Sequence, residues 1–139
     1  AAAAMASPRV NSVASERRKS PILVVDDSLT TRMLEQSILE SAGFEVDLAV
    51  SAEDGLEKAA RRRYGLFLVD VEMPGMDGFA FVARTRADAN FRDTPALMVS
   101  SRNGDADRRR AGEAGASGFI VKGEFDQGRF LETVRRLVA

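Results

Sequence analysis

Short apolar runs alternate with longer amphipathic stretches from Pro21 to the end of the chain. ILVVD (22–26), EVDLAV (45–50), LFLVD (66–70), PALMVS (95–100) and GFIV (118–121) are dominated by aliphatic and β-branched residues. Runs of this length and near-continuous hydrophobicity predict strands buried on both faces. The segments between them carry helical spacing. Residues 28–43 open on Ser28 as an N-cap, place Leu34, Ile38 and Ala42 on one face and stop at Gly43. Residues 51–63 start from Ser51 and turn Leu56, Ala59 and Ala60 inward, and residues 77–88 are capped by Asp77. Residues 104–115 are the weakest helix, offering only Ala106, Ala111 and Ala114 to a core, with Gly112 in the interior. Residues 125–138 face inward with Phe130, Leu131, Val134, Leu137 and Val138. Strands regularly separated by helices predict an α/β protein, a (βα)5 doubly wound parallel sheet covered on both faces.

Length adds one domain to this picture, since 139 residues enclose a single modest core. The first 20 residues, AAAAMASPRVNSVASERRKS, have no periodic apolar face and read as a disordered tail, linker or cloning remnant, leaving 21–139 as the folded domain. Their charge follows rather than precedes the small residues, the wrong order for a signal peptide. No run approaches a membrane span. The formal net charge of −1 gives no reason to expect direct binding to nucleic acid or to an anionic membrane. Arg61–Arg63 and Arg108–Arg110 are short basic runs on expected helices, and read as solvated faces. The chain has neither Cys nor His, which excludes disulfides, thiol catalysis, His-based triads and zinc sites built on either residue. The absence of Cys fits the cytoplasm.

Polar residues at the strand ends change the picture most. In a doubly wound sheet, ligands bind outside the carboxyl ends of the strands, where the strand order reverses. Asp26 and Asp27 close the first strand, Asp70 the third and Ser100 the fourth, while Lys122 follows the fifth. Any one alone reads as a cap, a turn or a surface charge, but together they define a site. Three nearby carboxylates repel one another unless a cation joins them. Oxygen ligands without His or Cys suit Mg²⁺, with Mn²⁺ as an alternative. A divalent ion, a nucleophilic carboxylate, a Lys and a hydroxyl are the parts of a phosphoryl-transfer site. A phosphatase of the haloacid dehalogenase type also uses an Asp nucleophile, but DDSLT (26–30) lacks its D-x-D-x-T pattern. No Gly-rich loop follows the first strand to cradle a nucleotide.

VVDDS, LVDVEMPGMDG, PALMVSS and GASGFIVK, each at a strand end, resemble the receiver domains of two-component signalling, the CheY-like, flavodoxin-like fold. The resemblance covers residues 21–139 and implies strand order 2-1-3-4-5. It implies Asp70 as phosphoacceptor, with Mg²⁺ held by Asp26, Asp27, Asp70 and the backbone carbonyl of Glu72. Lys122 would hold a phosphoryl oxygen, Ser100 would hydrogen-bond the phosphate, and Phe119 would be the coupled aromatic switch. The implied donor is a phosphohistidine on a histidine kinase or phosphotransfer domain, on another protein or elsewhere on a parent chain. The implied output is contact with a protein target through the last two helices and fifth strand, in a chemotaxis or motility phosphorelay. The final stretch is most similar to C-terminal receivers of chemotaxis-type (CheA-like) hybrid kinases. Two positions depart from the family pattern: Gly123 replaces the usual Pro after the Lys, loosening that loop, and Glu72 brings an acid two residues past the acceptor. These departures leave a second reading, a receiver-shaped binding module that works without phosphorylation.

Overall fold

In a computed structural model the described residues are 20–101 and 104–138. The tail expected over residues 1–20 lies, apart from Ser20, outside them. Five strands, β1 (Ile22–Val25), β2 (Val46–Ala49), β3 (Leu66–Asp70), β4 (Ala96–Ser100) and β5 (Gly118–Val121), alternate with α1 (Leu29–Ser41), α2 (Ala52–Arg61), α3 (Gly78–Ala87), α4 (Asp105–Ala114) and α5 (Gln127–Val138). All pairings are parallel, in the order β2-β1-β3-β4-β5. β5 is therefore an edge strand, and a short 3-10 turn at Lys122–Glu124 joins it to α5. The expected doubly wound sheet and its strand order are both present.

Side-chain alternation along the strands divides the interior into two layers. Leu23, Val25, Phe67, Val69 and Met98 point to the side covered by α2, α3 and α4, where Phe81 meets Phe67 edge-on at 5.5 Å between centroids. Ile22, Val24, Leu66, Leu68, Leu97 and Val99 point to the side covered by α1 and α5, against Ile38, Leu39, Phe130, Val134 and Val138. Fully burying a large aliphatic or aromatic side chain contributes about 1.5–3 kcal/mol, so these two layers carry the fold. Among the described residues no helix is long and apolar enough to cross a membrane.

Three helix faces differ from expectation. On α1 the inward stripe is Glu35, Ile38 and Leu39, whereas Leu34 is 53% exposed beside Met33 at 58%. The phase is set at the N-terminus, where the Ser28 hydroxyl accepts from Thr31 N–H and Arg32 donates to the Asp26 carbonyl at 2.7 Å. On α2 Ala52, Gly55 and Ala59 are buried and Ala60 is exposed, because Gly55 lies against Val25 and Phe81 and fixes the helix by close approach. On α4 Ala111 is buried, Ala114 is half-buried and Ala106 is exposed.

Candidate functional site

The expected acids meet at the carboxyl end of the sheet because β1 and β3 are neighbours in register, Val25 opposite Val69. One carboxylate oxygen from each of Asp26, Asp27 and Asp70 lies within 4.8 Å of the others. Asp26 and Asp70 are buried and Asp27 is exposed. The Asp26 carboxylate accepts the Ser28 amide at 2.8 Å through Oδ1. Its Oδ2 and Asp70 Oδ1 are buried, with the Lys122 ammonium as their polar neighbour among the described residues. Lys122 Nζ reaches in from the edge of the sheet, 3.1 Å from Asp70 Oδ1 and 3.9 Å from Asp26 Oδ2. A single ammonium cannot neutralise three carboxylates, so buried acceptor oxygens remain that suit a hard divalent cation.

Electrostatics agree with the geometry. Burial first, then the Asp26 charge, pushes the Asp70 carboxyl up to about 6, against the pull of Lys122. Asp26 is raised as well, chiefly by burial, with the Ser28 amide and Lys122 opposing. Burial lowers the Lys122 ammonium, but Asp70, Asp26 and Glu35 outweigh it and hold the group above its usual value.

The loop after Asp70 is held tightly to the strand. Gly78 N–H donates to the Val71 carbonyl at 3.0 Å, and a Cβ on Gly78 would sit 2.2 Å from the Asp70 carbonyl oxygen. Only Gly lets α3, capped by Asp77, start so close to the end of β3. Ser100 is fully buried at the end of β4. Its hydroxyl donates to Glu72 Oε1 at 2.9 Å, and the neighbouring Ser101 hydroxyl donates to Glu72 Oε2 at 2.5 Å. The Glu72 side chain is thus engaged with the end of β4. Phe119 is half-buried on β5, with the Arg108 guanidinium of α4 5.1 Å from its ring centroid. Arg110 stacks likewise over Phe79 at 4.2 Å. Arg108 and Arg110 lie over aromatic faces yet remain exposed, as are Arg109 and Arg61–Arg63, so both basic runs are solvated faces as expected. Gly123 is exposed in the turn after Lys122, and a Cβ there would meet nothing within 4 Å.

Two features escape a reading of the sequence. Glu35 of α1 is buried at 4% exposure, and burial first, then the Asp26 charge, raises its carboxyl to about 8. The signal was available: Glu35 stands three and four residues before Ile38 and Leu39, on the stripe they define. Ser101 is the other, and its role depends wholly on Glu72.

Comparison with known proteins follows the same line. The response regulator receiver domain profile matches residues 22–135. A gliding motility regulatory protein of Myxococcus xanthus is 32% identical over 133 residues, which is 96% of this chain and 17% of the relative. The chain thus spans a minor part of that relative's length. Among solved structures, the chemotaxis protein CheY4 of Vibrio cholerae superposes with a TM-score of 0.79 at 33% identity, over 85% of this chain and 98% of that one. The receiver domain of a sensor histidine kinase from Pseudomonas aeruginosa, with a magnesium ion coordinated in its active-site cleft, superposes at 0.78 with 25% identity, over 86% and 97%.

Proposed function

Because the chain belongs to the response regulator receiver domain family of two-component signalling, we propose that it is a phosphoacceptor switch, loaded on Asp70 and read by protein contact. The observation that carries this reading is the cluster of Asp26, Asp27 and Asp70, with Lys122 Nζ 3.1 Å from the acceptor oxygen. An ionised Asp70 oxygen attacks the phosphorus of a phosphohistidine. The phosphorus–nitrogen bond breaks, its electron pair stays with the donor imidazole, and an acyl phosphate forms on Asp70. The donor is a histidine kinase or phosphotransfer domain, since this chain has no His of its own.

Each residue has a task. A divalent ion, Mg²⁺ or Mn²⁺, would be held by Asp26, Asp27, Asp70 and the Glu72 backbone carbonyl, and would supply positive charge to the phosphoryl oxygens. Lys122 would hold one phosphoryl oxygen from the β5 side. Ser100 would donate its hydroxyl to another, and Phe119 would change its burial as Ser100 moves. That movement would alter the surface formed by α4, β5 and α5, which we assign to the protein target. The domain, residues 21–139, catalyses its own phosphorylation and dephosphorylation without turning over an external substrate.

Likeness to the motility protein, the chemotaxis protein and the kinase-borne receiver supports a place in a cytoplasmic chemotaxis or motility phosphorelay, on the same chain as a kinase or beside one. The engagement of Ser100 by Glu72 favours one second reading, a module that binds its partner without phosphorylation. Intact mass after incubation with Mg²⁺ and a small acyl phosphate, or with a phosphohistidine kinase, separates the two. One phosphate adduct that vanishes in Asp70→Asn supports the switch. An adduct that survives Asp70→Asn refutes the acceptor, and no adduct from either donor favours the binding module.

A further inference from the structure

A serine hydroxyl carries one proton and can donate to one acceptor at a time. In this structure the Ser100 proton is directed to Glu72 Oε1 at 2.9 Å. The other oxygen of that carboxylate accepts from Ser101 at 2.5 Å, so both arms of Glu72 are tied to adjacent residues at the end of β4. Glu72 comes from the loop after β3 and the two serines from the end of β4, so the bridge spans the gap between neighbouring strands whose register sets Asp70 opposite Val99. Ser100 is fully buried, so its hydroxyl cannot turn freely to water when it leaves the carboxylate. It exchanges one anionic acceptor for another. Hydrogen bonds to an ionised acceptor are short and among the stronger ones, so this exchange is not neutral.

We propose that Glu72 and Ser101 form a clasp that holds Ser100 away from Asp70, so that phosphorylation of Asp70 requires the clasp to open. Glu72 and Ser101 are then positioning residues that act through Ser100. The Glu72 carboxylate stands in for the phosphoryl group in the resting state, offering Ser100 an anionic oxygen of similar kind. Ser101 fixes that carboxylate by its second oxygen and so keeps it in place. This inference deepens the phosphoacceptor reading and rests on it.

A charge effect has to be separated from the clasp, because Glu72 also adds negative charge near Asp70 and an anionic donor. Removing the charge speeds loading whether or not Ser100 has a hydroxyl. Opening the clasp helps only when the hydroxyl is there to be released. The test is therefore a double-mutant cycle of Glu72→Ala and Ser100→Ala, read as the initial rate of Asp70 adduct formation from a small acyl phosphate with Mg²⁺. The gain from Glu72→Ala should be about fivefold or more larger with Ser100 present than in Ser100→Ala, the fold expected for one hydrogen bond. Ser101→Ala should also raise the rate, by a smaller factor.

A second readout needs neither metal nor donor. In chelator, Glu72→Ala should lower the melting temperature more with Ser100 present than in Ser100→Ala, because only then is a clasp lost. Equal rate gains in the two backgrounds, within about twofold, overturn the proposal even where the melting temperatures are coupled: the bond would then exist without holding the switch. Additive melting temperatures overturn it too, since no clasp would exist in solution. Failure of the functional reading looks different. In that case the parent chain and Glu72→Ala both stay free of any Asp70 adduct, and competition for Ser100 falls with it.

Discussion

Glu35→Gln should make the metal-free protein more stable, and increasingly so as pH rises. Glu35 is buried beneath the site, and its carboxyl is raised from 4.5 to about 8, by burial first and then by the Asp26 charge, with Lys122 opposing. In the folded state it keeps its proton through neutral pH, whereas the unfolded chain gives that proton up above its ordinary value. Rising pH therefore favours the unfolded chain. The stability cost is absent below pH 4.5, grows through neutrality and levels off once pH passes about 8, the folded value. Linkage over this interval gives a cost of about 3 kcal/mol at pH 7 and about 5 kcal/mol above pH 8.

Gln keeps the shape and removes the titration. Any cost of burying its amide is independent of pH, so the slope carries the test and the offset does not. The assay is urea unfolding of parent and Glu35→Gln in chelator at half-unit steps from pH 4.5 to 8. The mutant's advantage should grow by about 3 kcal/mol between pH 4.5 and 7. Mg²⁺ should shrink that growth without abolishing it, because the ion relieves the Asp26 and Asp70 charges but leaves the burial in place. A difference that stays flat within about 0.5 kcal/mol across the range would refute the reasoning, since Glu35 would then titrate as it does in water.

Mg²⁺ should raise the melting temperature of the parent by mass action, and Asp27→Ala should abolish that rise while leaving metal-free stability unchanged or higher. Equal shifts in the two proteins would count against the metal site. Gly112 is exposed, and a Cβ there meets nothing within 4 Å, so Gly112→Ala should stabilise the domain by up to about 1 kcal/mol in urea melts. In the parent, amides of residues 106–114 should exchange faster than those of 130–138, because α4 buries only Ala111 where α5 buries Phe130, Val134 and Val138; equal protection would show α4 to be firmly docked. Gly78→Ala should cost on the order of 1–3 kcal/mol and slow loading of Asp70, because the new Cβ would meet the Asp70 carbonyl. Parental stability and rate in that variant would mean the loop relaxes freely.

The sheet was legible because each strand is a short, largely apolar run between helical stretches, and the caps at Ser28, Ser51 and Asp77 are local signals. The meeting of Asp26, Asp27, Asp70 and Lys122 followed from strand order alone, since all four stand at carboxyl ends. What escaped depends on contacts between distant elements. α1 has apolar residues on two stripes, and hydrophobicity alone chose the one with Leu34 over the one with Glu35. Nothing near Glu35 in the chain announces Asp26, Asp70 and Lys122 as its charged neighbours, because they arrive from β1, β3 and the turn after β5. The position of Glu72 was noticeable, but its partners lie 28 and 29 residues further on, and only side-chain placement identifies them.

The edge position of β5 gives the site a mechanical division. The acids sit on β1 and β3, each paired on both sides, while Lys122 hangs from a strand with one neighbour. A shift of β5 against its one neighbour, β4, would move the positive charge while the strands that precede the acids keep both of their partners. The charge balance of the cluster is therefore adjustable from the rim of the sheet, without disturbing its middle.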